Sequence, residues 1–185
     1  MESKILQIVD PEIQLFAQSA VKRFCDGPHM LRADIIHEKQ WQLAPIETGL
    51  HIDDALAEKL IGIASLSKIT TIYAIETEGL NVPFGFEVPL TREGFDQFNY
   101  QCAGFNYLLV PRSEAFALLC STDDYLLFAA PENLMKIGFP EGLEKMIAAF
   151  VETYASDKEL WGPTGIANFE RVVEYCRKAE KTGQV

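Results

Sequence analysis

The chain predicts an α+β fold built on an antiparallel sheet of about five strands, and three observations carry that expectation. Between Asn106 and Ala130 the sequence reads NYLLV-PRSEA-FALLC-STDD-YLLFAA, three apolar runs cut by two polar turns. Each run has strand length, and the breaks hold Pro, Ser and Asp. The connections are too short for parallel crossovers, so 106–130 reads as a meander. Second, Ile69–Ile75 is rich in β-branched residues, and Phe84–Val88 is fenced by Pro83 and Pro89. These are two further strands, the latter at an edge or short. Third, helical periodicity marks both ends of the chain. Helices from both ends should therefore cover the sheet on one face.

The elements follow in order. Asp10-Pro11-Glu12 supplies a cap, a proline at the first helical position and an acid in the first turn. Ile13, Phe16, Ala17, Ala20, Val21 and Phe24 then recur at helical spacing until Gly27-Pro28. Residues 28–50 hold no sustained period, with a short strand or helix at Leu31–Ile36. Asp53 or Asp54 caps a helix through Leu56, Leu60 and Ile63. Glu76–Asn81 is a turn. Thr91 caps a helix carrying Phe95, Phe98 and Cys102, closed by Gly104. After the meander, Pro131-Glu132-Asn133 opens a short helix that Gly138 ends. Leu143, Met146, Ile147, Phe150, Val151 and Tyr154 mark the strongest helix. Trp161–Gly165 reads as a turn cluster. A last helix carries Ile166, Phe169, Val173 and Cys176, and the polar run 177–185 is expected to fray.

With 185 residues, 48% hydrophobic and 23% charged, the chain is a single globular domain over 1–185. No apolar run approaches the roughly 18 residues that span a bilayer, and the N-terminus has no secretory pattern. Cys25, Cys102, Cys120 and Cys176 are widely spaced, as expected of reduced thiols in a cytoplasmic protein.

The net charge is −11. Residues 1–60 hold 6 basic and 10 acidic groups, a balance of −4. Residues 61–135 hold 3 and 9, a balance of −6, and residues 136–185 hold 7 and 8, a balance of −1. Binding to nucleic acid or an anionic membrane needs clustered Lys and Arg, which the middle of the chain lacks. A basic protein partner is steered toward that middle third.

Catalytic patterns are weak. Asp123-Asp124 reads as an Asx-type turn before it reads as a cation-binding tip. His37-Glu38-Lys39-Gln40-Trp41 starts like a zinc-protease helix but has Trp41 in place of the second ligand. His29, His37, His51, Asp34 and Asp53 match no ligand spacing. Cys120 ends a strand as a small buried side chain rather than a nucleophile. Gly138, Gly142, Gly162 and Gly165 follow no phosphate-loop pattern. No cofactor or metal is expected. The aromatics of residues 95–128 read as core, with Tyr100, Tyr107 and Tyr125 the ones whose exposure would matter.

Two functions compete. One is a protein-interaction module without catalysis, acting through Glu76, Glu78, Glu87, Glu114, Asp123 and Asp124 as one acidic patch. In size and charge the chain resembles small acidic bacterial proteins that neutralise toxins or nucleases by covering a basic active site. The other is a small-ligand-binding domain or enzyme, its pocket between sheet and helices and lined from residues 28–54. A homo-oligomer built on an edge strand or the last helix is a third reading.

Overall fold

Asp10 accepts the backbone N–H groups of Glu12 and Ile13 through its side chain, so helix α1 (Pro11–Phe24) starts at its expected cap. The structure, a computed structural model, describes residues 4–47, 51–78, 84–102, 104–123, 125–156 and 163–182. A two-residue strand β1 (Leu6–Gln7) precedes α1, and α2 (Ala33–Glu38) and β2 (Trp41–Glu47) follow it. Asp53 caps α3 (Asp54–Leu66). Strands β3 (Thr71–Glu76) and β4 (Gly85–Pro89) come next, then α4 (Arg92–Cys102). The Thr91 hydroxyl accepts the Gly94 N–H at 3.1 Å, and Gly104 adopts φ +90 beyond the helix. The chain ends with β5 (Tyr107–Val110), β6 (Ala117–Ser121), β7 (Tyr125–Pro131), α5 (Glu132–Gly138), α6 (Leu143–Ser156) and α7 (Pro163–Thr182).

The sheet order is β1-β4-β3-β5-β6-β7-β2, antiparallel throughout. The meander is present as β5-β6-β7. The sheet has seven strands where about five were expected, because β1 and β2 carry no alternation. β2 contains Pro45, which an edge strand tolerates. Pro83, Gly79–Asn81 and Trp161-Gly162 lie outside the described residues. Pro163 and Gly165, expected in a turn, stand at the start of α7, where proline suits the first helical turn. The backbone from Arg177 continues as helix to Thr182.

Helices cover both faces, which corrects the expectation of a single covered face. On one face Tyr73 meets Phe16 of α1, and Tyr125 meets Phe150 of α6. On the other, Tyr107 meets Phe98 of α4, and Phe128 meets Phe139 just after α5. Alternation along each strand assigns these contacts to opposite sides. Helices from both ends of the chain thus share one face, and the middle helices take the other. Leu108, Leu109, Leu118, Leu119, Leu127 and Phe128 are all fully buried. Each contributes about 1.5–3 kcal/mol by leaving water. No described helix is long and apolar enough to cross a membrane.

Candidate interaction surface

The pairing Glu76↔Tyr107↔Cys120 brings the ends of β3, β5 and β6 side by side. The residues just beyond them therefore gather at one end of the sheet. Thr77 N–H donates to the Asn106 carbonyl at 3.0 Å, and Thr122 N–H donates to Asn106 Oδ1 at 2.8 Å. Glu76 N–H donates to the Phe84 carbonyl at 2.9 Å, so the start of β4 lies at the same end. Helix α4 leaves the far end, where Leu90 N–H meets the Thr70 carbonyl at 2.9 Å, and returns here with its last turn. Asn99 in that turn clasps Ile52 by two hydrogen bonds of 3.0 and 2.8 Å, which sets the exposed Asp53 alongside.

The loop after α1 reaches this end as well. Thr77 Oγ1 donates to the Pro28 carbonyl at 3.2 Å, and Tyr125 OH donates to the His29 carbonyl at 2.8 Å. His29 Nδ1 lies 3.1 Å from Ser121 Oγ and 3.5 Å from Asp123 Oδ2. Asn168 of α7 donates to Asp123 Oδ2 at 3.1 Å. Ser121 Oγ accepts the Asp123 N–H at 3.1 Å, a serine-based closure within the β6–β7 turn.

Ser121, His29 and Asp123 are the residue types of a hydrolytic triad, but the geometry differs. A triad uses opposite ring nitrogens, one for the serine and one for the carboxylate. Here the same nitrogen meets both partners, and Ser121 is only 6% exposed. The trio fixes the turn and ties the post-α1 loop to it. Cys120 points the same way, because burial raises its thiol pKa, opposite to the lowering that activates a cysteine. Burial pushes the Tyr125 phenol up to about 12. Among the described residues, no three His, Cys, Asp or Glu side chains converge to hold a metal ion. His37 lies in the last turn of α2, the Asp34 carboxylate pairs with Arg32, and Asp53 caps α3.

The six acids expected to form one patch divide. Glu76, Glu78 and Asp123 belong to the convergent end. Glu87 lies within β4 on the face opposite Glu76, as the register Tyr73↔Glu87 and Glu76↔Tyr107 requires. Glu114 stands at the far end, 2.7 Å from Arg23 and 3.4 Å from Lys39. Asp124 lies outside the described residues. Tyr107 and Tyr125 are core residues, whereas Tyr100 is 89% exposed. Phe84 and Phe105, at 43% and 51% exposure, join it at the same end. These three are the exposed aromatics among the large apolar side chains described. Nothing in the sequence marked Phe84 or Asn106 as a surface residue or a site residue. Their neighbours come from strands that only the topology brings together.

A groove of about 550 Å³ lies elsewhere, between α6 and α7. Its walls include Val151, Phe169 and Val173 with Glu170 and Arg177 at the rim, and no residue from 28–54 lines it. Comparison with protein-family models, curated proteins and solved structures finds no match.

Proposed function

We propose that the protein works by binding a basic protein partner at the convergent end of the sheet. The observation that carries this reading is that Glu76, Glu78 and Asp123 stand at the same end of the sheet as the exposed Tyr100, Phe84 and Phe105. Interfaces draw most of their energy from aromatic anchors, and charge steers the approach. A net charge of −11 favours a cationic partner at long range and repels nucleic acid. The biological form of this reading is a cytoplasmic inhibitor or immunity-like protein that covers a basic surface on its target.

The test is kinetic. The full chain is immobilised, its partner is captured from the native host and purified, and association is measured against ionic strength. A Glu76→Gln, Glu78→Gln, Asp123→Asn variant should associate about tenfold more slowly at low salt, with a shallower salt dependence. A partner without clustered Lys and Arg, or an unchanged rate, would remove the proposal.

A further inference from the structure

We infer that the group recognised here is arginine: a guanidinium of the partner seats on the exposed rings flanking the C-terminus of α4, with Glu78 and Asp123 answering its charge. This rests on the reading above and sharpens it. Three independent features point to it. Tyr100, Phe84 and Phe105 are exposed at one end of the sheet, and they are the exposed aromatics among the large apolar residues described. Planar guanidinium stacks on aromatic faces, whereas a lysine ammonium is a compact, strongly hydrated charge that gains less from them. The acids at the same end supply the carboxylates that a fork-shaped donor grips in pairs. The last carbonyls of α4 add partial negative charge beside Tyr100.

The third feature is Asn106. It is 1% exposed, and its Oδ1 is committed to Thr122, which fixes the amide's orientation. Its Nδ2 is then a buried donor without a partner, the only such side-chain atom among the described residues. Buried donors are nearly always satisfied, so this one marks where an acceptor belongs. Asn106 directly follows the exposed Phe105, so a docked segment that displaces the cover of this amide would supply the acceptor through a main-chain carbonyl.

The full chain, labelled with nitrogen-15, is titrated with nona-arginine and separately with nona-lysine, and amide shifts are followed. Nona-arginine should bind about three- to fivefold tighter, and the shifts should centre on 76–78, 100–106 and 121–123. The Tyr100→Ala, Phe105→Ala double variant should lose the preference for arginine while still binding lysine. Tyr100→Phe keeps the ring and should keep the preference. Equal affinities with shifts at this end would defeat the arginine inference and leave the acidic-surface reading standing. Shifts centred elsewhere, or none with either peptide, would remove both.

Discussion

Asn106 Oδ1 and the Thr122 backbone N–H are 2.8 Å apart, a bond that joins the start of β5 to the β6–β7 turn across sixteen residues. The same asparagine's main-chain carbonyl holds Thr77 at 3.0 Å. One buried residue, through its side chain and its main-chain carbonyl, therefore sets the spacing of three chain segments at the proposed surface.

Replacing Asn106 with alanine should lower stability by about 1–3 kcal/mol, since the partly buried Thr122 N–H then loses its acceptor. For a domain of this size that is a fall in melting temperature of about 2–4 °C for each kcal/mol. Thermal unfolding checks it. A change within experimental error would mean that the bond does not organise this end.

At the far end of the sheet, Glu114 joins the β5–β6 hairpin to α1 and to Lys39, whose Nζ sits 4.9 Å from the Trp41 ring centre. Glu114→Ala should cost about 1–2 kcal/mol and alter Trp41 emission, because Lys39 loses its carboxylate partner while remaining largely covered. Partner association should be untouched, since this acid stands apart from the proposed surface. Slower association in this variant would redraw the surface.

Glycines give a paired prediction of opposite sign. A Cβ on Gly94 would lie 2.2 Å from the Pro89 carbonyl oxygen, a backbone atom that cannot give way cheaply. Gly94→Ala should therefore destabilise by about 1–3 kcal/mol. A Cβ on Gly62, inside α3, meets nothing within 4 Å. Gly62→Ala should stabilise by about 0.5–1 kcal/mol by restricting the unfolded chain and favouring helix. Denaturant midpoints at constant slope would show both.

Stability should decline in alkali. Burial pushes the Cys102 thiol from 9.0 up to about 11 and the Cys25 thiol to about 12. Groups whose pKa is raised on folding support the fold fully below the unfolded value. As pH climbs past 9.0, the unfolded chain sheds thiol protons that the folded chain keeps, so stability falls through the window from 9.0 to about 12. Thiol titration should show slow labelling at pH 8 in the native protein and four fast-reacting groups in denaturant. Rapid native labelling of Cys102 would contradict its burial.

The central strands were legible because their chemistry is local. Leu108-Leu109, Leu118-Leu119 and Leu126-Leu127 advertise burial, and the intervening polar turns fix their sense. Those same unbroken runs, rather than alternating ones, also betray cover on both faces. The single covered face expected above missed that signal. Trp41–Glu47 was unreadable as a strand because Pro45 interrupts it and its support comes from β7, some eighty residues away. The candidate surface was half legible. Tyr100 stood out as an aromatic to check, and Glu76, Glu78 and Asp123 as acids. Their company with Asn106 and Phe105 depends on β5 lying between β3 and β6, which no local pattern encodes.

The most direct test places a photoreactive benzoylphenylalanine at position 100 of the full chain in its native host, with position 137, exposed on α5, as the control. A surface for a basic partner predicts cross-linking from position 100 to a protein rich in Lys and Arg, abolished by Glu76→Lys with Glu78→Lys and absent from position 137. The same adduct from both positions, or one from position 100 that survives the charge reversal, would contradict it.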